Sequence, residues 1–380
     1  MPVYPRRGEG LAPVVHGAVS DEELAAWGLR WSEVVDFSVN SNPLGPPPAV
    51  VDALRRADLA RYPDPEARAL RAAIAAREGL SPAQVLCGNG SVELMWLAVL
   101  AYLDPGDRAL ILTPTFGEYE HVCRLVRAQV MTLSATPASG FRWSLPQVCE
   151  ALAQERPRLC FLCNPNNPTG VYLEPAEVQA MLDAGPDTLL VLDEAYLAFM
   201  PGGQSAAQAL RPGPRRGVAC AENLLVLRSM TKDYALAGLR LGFALGTAPV
   251  IAALRGVRPP WNVNTLALAA GLAALANPTD LEPTLAAIGE AKAYLVDALT
   301  ALGLEVVPSA ANFFLVRVGD AAAFRAVLLP HGCVVRDCTS FGLPQYIRIG
   351  VRTLPECRRL VEAIRAVLTS DRSRSQHRKA

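Results

Sequence analysis

The feature that most constrains this chain is a long alternation between short apolar runs and helical stretches. Strand-like runs such as Leu159 to Cys163 and Leu224 to Leu227 are separated by helical segments such as Pro175 to Ala184. Apolar runs without a polar face are typical of parallel strands, because helices cover both faces of a parallel sheet. The pattern therefore predicts an α/β fold with a mostly parallel sheet covered by helices.

A change in this pattern predicts a second, smaller domain. The alternating units run from about Pro46 to Pro259, a helical passage follows, and the later strands and helices are typical of an α+β domain. A chain of 380 residues with 51% hydrophobic residues can bury cores of this size. We expect an N-terminal arm at residues 1–45 that is part of the small domain, a large domain at 46–265, the small domain at 266–368 and a polar, disordered tail at 369–380.

Lys232 follows one of the strand-like runs, in a segment rich in small and hydroxyl residues. It is one of three lysines in the chain, and Ser229, Thr231 and Arg240 lie close to it in the sequence. A lysine between a buried strand and such a turn is typical of a Schiff-base lysine beside a phosphate site. The alternative is a solvated surface lysine.

An acidic residue follows another predicted strand and fits the same chemistry. The apolar run Thr188 to Leu192 ends in Asp193, with Tyr196 three residues later. An ionised Asp193 beside a pyridine nitrogen would keep that nitrogen protonated, whereas the alternative role is to cap the next helix. Tyr196 could reach the phenolic oxygen of the same ring. Asn167 could donate to that oxygen too, because two prolines and a glycine fix the shape of its turn.

A glycine-containing turn before a helical pattern supplies a candidate phosphate site. Backbone N–H groups at a helix start, here those of Gly90 and Ser91 with Asn89 beside them, suit a phosphate dianion. A nicotinamide-dependent dehydrogenase would instead need a third glycine where this chain has Glu93. Together with the lysine and the aspartate, this turn predicts pyridoxal 5'-phosphate (PLP) as the cofactor.

Polar side chains near both ends of the chain are candidates for binding the substrate. Arg336 and Arg348 each lie in a strand pattern and could form a bidentate clamp for an anion if the two strands are neighbours. Asn40 and Asn42 lie in an extended arm and could face a ligand. Solvated surface residues are the alternative for the arginines.

Taken together, these segments resemble the fold-type I PLP enzymes, the aspartate aminotransferase superfamily, over nearly the whole chain. The resemblance implies that Lys232 binds the cofactor covalently and that Phe116 stacks on its ring, although Phe116 alone could be an ordinary core aromatic. It also implies a homodimer in which Tyr62 is lent to the phosphate of the other subunit. The residues that it assigns to the phosphate within one chain are Ser229, Thr231 and Arg240.

Within the superfamily, the chain looks most like the subgroup of histidinol-phosphate aminotransferase and threonine-phosphate decarboxylase. Several stretches favour the decarboxylase, whose substrate-binding positions match His16, Gly17, Asn40, Arg336 and Arg348. The first expectation is therefore a decarboxylase of L-threonine O-3-phosphate. The alternative is a histidinol-phosphate-type aminotransferase that uses 2-oxoglutarate and glutamate. An alternative of another class is a non-catalytic protein that keeps the fold and binds a phosphorylated metabolite.

Charge and cysteine content narrow the partners and the compartment. Equal counts of 36 acidic and 36 basic residues leave no net charge, so neither nucleic acid nor an anionic membrane is indicated as a partner. Cys160 and Cys163 have a metal-site spacing, but in a strand they would point to opposite faces, and no metal site is expected. The nine cysteines and the lack of a long apolar segment or signal peptide predict a cytoplasmic protein.

Overall fold

The computed structural model describes residues 10–211, 221–276 and 281–377 and contains a seven-stranded central sheet. The strands of this sheet and of two smaller ones are β1 (Val35–Asp36), β2 (Val85–Gly88), β3 (Arg108–Thr113), β4 (Gln129–Ser134), β5 (Leu159–Cys163), β6 (Leu189–Asp193), β7 (Leu224–Ser229), β8 (Gly242–Gly246), β9 (Glu305–Val306), β10 (Phe313–Arg317), β11 (Cys333–Val334), β12 (Arg336–Asp337) and β13 (Tyr346–Gly350). The helices are α1 (Asp21–Ala26), α2 (Pro48–Arg55), α3 (Arg68–Glu78), α4 (Gly90–Tyr102), α5 (Glu118–Leu125), α6 (Leu145–Glu155), α7 (Pro175–Ala184), α8 (Met230–Asp233), α9 (Ala248–Val257), α10 (Thr265–Ala276), α11 (Glu282–Ala301), α12 (Ala321–Leu328) and α13 (Leu354–His377).

The central sheet has the strand order β2-β8-β7-β6-β5-β3-β4. Adjacent strands from β7 to β4 pair in parallel, whereas β8 runs antiparallel to both of its neighbours. Every residue of β5, β6 and β8 is buried, as expected for strands covered on both faces. The prediction of an α/β fold with a mostly parallel sheet is confirmed.

Side chains of the sheet alternate between two apolar cores. Phe161 and Cys163 of β5 face one core, and Cys160 and Leu162 face the other. The two cysteines therefore point to opposite faces, because side chains alternate along a strand and an interval of three residues changes the face. A shared ligand for both thiols is not possible in this geometry.

The parallel strands end together at one edge of the sheet. Cys163 at the end of β5 is in register with Asp193 at the end of β6, which in turn is in register with Leu227 of β7. The carboxyl ends of strands in such sheets are where ligands bind. The topology therefore brings the segments after β5, β6 and β7 to one place.

A second body is formed by the four-stranded sheet β12-β13-β10-β9 with α11, α12 and α13. The N-terminal arm reaches this body, because β1 pairs in parallel with β11. Helix α10 instead packs against α2 and α3, so it lies with the large body. The domain boundary at residue 265 stays a prediction, since the sequence pattern shows that a helix forms there but not where it packs.

Helix α13 continues to His377 and so includes residues 369–377 of the segment for which the sequence predicted a disordered tail, and that disorder stays a prediction. Its first turns bury apolar residues such as Leu360 and Ile364. Extending a formed helix costs much less than nucleating one, and arginine and glutamine favour helices, so the polar end continues it. Residues 378–380 lie outside the described residues. None of the helices within the described ranges is long and apolar enough to cross a membrane.

Candidate active site

A cavity of about 970 Å³ opens where the parallel strands end. It is bounded by the start of α4, the segments after β5, β6 and β7, the N-terminal arm, and the arginine-bearing strands β12 and β13. Every site residue predicted from the sequence lines this cavity, except Asn42, Gly90 and Tyr62. The fold thus brings together segments that lie more than 300 residues apart in the chain, such as His16 and Arg348.

Asp193 lies at the floor of this cavity as a buried carboxyl group. Its Oδ2 accepts a hydrogen bond of 2.7 Å from the hydroxyl of Tyr119, and its Oδ1 accepts one of 3.0 Å from the N–H of Ala195. Burial raises the pKa of Asp193 to about 6, while these hydrogen bonds and the charge of Lys232 act in the opposite direction. A buried carboxylate of this kind is stabilised by a cation, which a protonated pyridine nitrogen would provide.

Tyr119 is the residue of this group that the sequence reasoning missed. It is fully buried in α5, and its ring stacks on Phe161 at 4.9 Å between centroids. Burial raises the pKa of Tyr119 well above its usual range, so its hydroxyl stays protonated and donates to Asp193. The available signal was its position three residues after Phe116, at the start of the following helix α5.

Lys232 lies in the short helix α8 directly after β7, and its amine reaches the cavity. Burial lowers the pKa of Lys232 to about 8, and the charges of Arg348 and Arg240 lower it as well. The N-terminal arm contacts the turn that carries Lys232. The side-chain amide of Asn42, in the arm, donates a hydrogen bond of 2.9 Å to the backbone carbonyl of Asp233. The expectation that Asn42 faces a ligand is therefore wrong. A lysine with a lowered pKa is suited to act as a nucleophile and as a base.

The predicted phosphate ligands cluster on one side of Lys232. The hydroxyl oxygens of Ser229 and Thr231 lie 2.6 Å apart, and Ser91 lies in the first turn of α4. Gly90 has a φ of +78°, and a Cβ there would lie 2.7 Å from the guanidinium of Arg240. A helix start, two hydroxyl groups and a guanidinium are donors that suit a phosphate dianion, and the glycine leaves the arginine the space to approach. The residues present therefore fit the cofactor predicted from the sequence.

Two side chains flank the position expected for the cofactor ring. Phe116 contacts the Tyr119 ring edge-on at 5.7 Å between centroids, and Tyr196 contacts Phe313 in the same way at 4.8 Å. Burial raises the pKa of Tyr196 to about 12, so the hydroxyl is a donor at neutral pH. Asn167 lies beside them, and its Oδ1 accepts a hydrogen bond from Arg348.

The two predicted substrate arginines are direct neighbours on adjacent strands. Arg336 of β12 is in register with Arg348 of β13, and both are buried. The guanidinium of Arg336 donates to the carbonyls of Val15 and His16 at 2.7 and 2.9 Å, and that of Arg348 donates to the carbonyl of Ser38 at 2.6 Å. The donors that could bind an anion thus hold the N-terminal arm over the cavity.

Comparison with known proteins agrees with this geometry. Residues 32–364 match the model of the family described as aminotransferase class I and II. This chain belongs to the aminotransferase class I and II family. A relative named histidinol-phosphate aminotransferase from Symbiobacterium thermophilum is 40% identical over 94% of this chain and 96% of its own length. The predicted resemblance to the aspartate aminotransferase superfamily is confirmed, and the chain is an enzyme of this family.

Two solved structures have folds similar to that of this aminotransferase. Histidinol-phosphate aminotransferase from Sinorhizobium meliloti, in complex with pyridoxal-5'-phosphate, has a TM-score of 0.82 at 26% identity and covers 96% of this chain and 99% of its own. L-threonine-O-3-phosphate decarboxylase from Porphyromonas gingivalis has a TM-score of 0.75 at 28% identity, over 88% of this chain and 99% of its own. Both names that the sequence suggested thus occur among proteins of this fold.

The arm of this aminotransferase brings a histidine to a second carboxylate that the sequence reasoning missed. The Nε2 of His16 lies 3.0 Å from Oε1 of Glu118, which lines the cavity at the start of α5. The hydrogen bond with His16 lowers the pKa of Glu118, with smaller contributions from His121 and Trp96. A Cβ at Gly17 would lie 2.5 Å from the carbonyl oxygen of Ser38, so the arm needs a glycine to pass there.

Tyr62 lies away from the cavity in the aminotransferase chain. Its residue surface is 83% exposed, and its ring contacts Trp261 at 5.1 Å between centroids. An exposed tyrosine on this surface is compatible with the predicted contribution to the site of a second subunit. That contribution stays a prediction.

Proposed function

We propose that this enzyme transfers the amino group of histidinol phosphate to 2-oxoglutarate, which yields glutamate. The enzyme is a PLP-dependent transaminase of its family. The observation that carries the choice of substrate is the 40% identical relative named for this activity, which matches 94% of the chain. The sequence alone favoured the decarboxylase, but the solved structure of the protein with that name is only 28% identical to this chain.

The residues of the cavity support an amino transfer. The bound cofactor supplies an electron sink for the electron pair left at the α-carbon of the substrate. Asp193 provides the negative charge that keeps the pyridine nitrogen protonated, and Tyr119 stabilises the ionised form of Asp193 through its hydrogen bond. Lys232, whose pKa is lowered to about 8, holds and moves a proton at the α-carbon of the substrate.

Different residues of the cavity bind the two phosphate groups. The cofactor phosphate is held by the hydroxyl groups of Ser229 and Thr231, by Ser91 and by the guanidinium of Arg240. The substrate phosphate is bound by Arg336 and Arg348, whose donors meet carbonyl oxygens of the arm. We also propose a homodimer in which Tyr62 of the partner subunit completes the cofactor phosphate site.

A direct assay distinguishes the two reactions that the sequence left open. Purified enzyme with added PLP is given histidinol phosphate and 2-oxoglutarate in one reaction and threonine phosphate in another. We expect glutamate from the first reaction and no carbon dioxide from the second, and Lys232→Ala should abolish both the cofactor absorption band and turnover. Carbon dioxide from threonine phosphate, without glutamate from histidinol phosphate, would overturn the proposal.

A further inference from the structure

We propose that Glu118 recognises the imidazole ring of the substrate, at the position that the imidazole of His16 takes in this structure. The inference rests on the proposed function, because it assumes a substrate that carries an imidazole, an amine and a phosphate. It assigns a specificity-determining role to a carboxylate outside the predicted cofactor and phosphate sites.

The three carboxylates that line the cavity differ in what holds them. Glu93 accepts a hydrogen bond of 2.6 Å from the N–H of Asn89 and one of 2.7 Å from the side chain of Asn262, so it braces the phosphate turn. Asp193 is fixed at the end of β6 by its two hydrogen bonds. Glu118 pairs instead with a side chain of the N-terminal arm. Among these three carboxylates, Glu118 is the one whose main partner is a side chain of the N-terminal arm, which a ligand could displace.

The arm places a whole histidine residue between two charged groups of the cavity. The carbonyl oxygen of His16 accepts from Arg336 at 2.9 Å, and the imidazole Nε2 of the same residue lies 3.0 Å from Glu118. Histidinol phosphate has the carbon skeleton of histidine, with phosphate oxygens at one end and an imidazole at the other. The separation of Arg336 and Glu118 therefore suits a molecule of this length and polarity.

The arm is held weakly enough for a substrate to displace it. The side chain of His16 is 51% exposed, and Val15 is 59% exposed. Arg336 binds these two residues through neutral carbonyl oxygens. A phosphate would add an ion pair with the same guanidinium and could bind it through two parallel hydrogen bonds, which neutral carbonyl oxygens cannot match in charge. Binding of the substrate phosphate and release of the His16 carbonyl are thus coupled.

A carboxylate at this position would also discriminate between the two candidate substrates. A site built around a hydrogen-bonding group rejects an analogue that lacks the partner, because its own polar group is then left unpaired. Threonine phosphate has a methyl group and no ring N–H to offer to Glu118. The carboxylate would also repel the side-chain carboxylate of 2-oxoglutarate, the amino acceptor of the second half-reaction.

The test compares Glu118→Gln with Glu120→Gln, a control on the same helix whose carboxylate pairs with Arg124 at the surface. Binding of histidinol phosphate to the holoenzyme is measured by calorimetry, and kcat/KM is measured for histidinol phosphate and for 2-oxoglutarate. We expect Glu118→Gln to weaken binding of histidinol phosphate about tenfold, because a charged hydrogen bond becomes a neutral one. The ratio of the two kcat/KM values should fall about as much, whereas Glu120→Gln should match the wild type.

A second variant tests whether the substrate imidazole replaces that of His16 or binds together with it. If the imidazoles of His16 and substrate take the same place, His16→Ala binds histidinol phosphate as tightly as the wild type or more tightly. A loss of affinity in His16→Ala similar to that in Glu118→Gln would overturn the inference. If Glu118→Gln fails to bind the cofactor, Glu118→Asp replaces it, and an unchanged affinity there would count against the inference.

The outcomes keep the inference apart from the proposed function. A wild type that does not convert histidinol phosphate refutes the proposed function. A wild type that converts it, with unchanged binding and an unchanged kcat/KM ratio in Glu118→Gln, refutes the role of Glu118 alone.

Discussion

Replacing Tyr119 with phenylalanine tests the electrostatic design of the cofactor site. The change removes the hydroxyl that donates to Asp193 at 2.7 Å and leaves the ring that stacks on Phe161. A hydrogen bond to a charged group contributes about 1.5 to 3 kcal/mol, and one pKa unit corresponds to about 1.36 kcal/mol. The pKa of Asp193, which burial raises to about 6, should therefore rise by roughly one to two further units.

A higher pKa of Asp193 should shift the pH dependence of the reaction in one direction. The ionised form of Asp193 is the one that supports catalysis, so activity is present above its pKa and is lost as the pH falls through it. In Tyr119→Phe we expect the acidic limb of the kcat/KM profile to move to higher pH by about one to two units. The assay is transamination of histidinol phosphate measured from pH 5 to about 9.

A matched control separates this effect from a general loss of stability. Tyr172 is also buried, but its hydroxyl donates to the backbone carbonyl of Gln204 at 2.8 Å, so Tyr172→Phe removes a hydrogen bond that does not involve Asp193. Its acidic limb should stay in place. An acidic limb in Tyr119→Phe that coincides with the wild type would refute the argument that this hydroxyl stabilises the ionised aspartate.

Three further predictions concern the arginines, a loop and the second subunit. Arg336→Lys should raise the KM for the phosphorylated substrate about tenfold or more with little change in kcat, because the planar donor fork is lost, and an unchanged KM contradicts the clamp. Gly170→Ala should lower the melting temperature, since its φ is +71° and a Cβ would collide with a neighbouring serine side chain; Gly289→Ala has open space in a helix and should gain up to about 1 kcal/mol. Mixed dimers of Tyr62→Ala and Lys232→Ala chains should recover activity, because one of their two sites keeps both residues, and no recovery argues against a site shared between subunits.

The sequence was sufficient to predict the elements that carry the cofactor site. The run Leu159 to Cys163 is strand β5 with the same bounds, and Pro175 to Ala184 is helix α7 with the same bounds. Continuous apolar runs and capping residues are local signals, so they can be recognised without knowing the fold. Asp193 ends one such strand and Lys232 lies three residues after another, and parallel pairing then brings the strand ends together.

Contacts between distant segments could not be predicted in this way. Strand β8 is antiparallel, and helix α10 lies with the large body, because both depend on which surface remains to be covered. The sequence predicted that Arg336 and Arg348 would be useful if their strands were neighbours, and the strands are neighbours. It did not predict that their donors hold the N-terminal arm, since this depends on where the arm passes in the folded chain.

The residues that sequence reasoning missed share a physical reason. Tyr119 and Glu118 lie at the start of one helix, and neither forms a recognisable motif with its neighbours in the sequence. Their importance comes from what they meet across the fold, namely the carboxyl group of Asp193 and the imidazole of His16. Tyr119 and Glu118 are themselves buried, and a buried polar group without a hydrogen-bond partner is costly. The contact between Glu118 and His16 depends on the position of the arm, which only the folded chain defines.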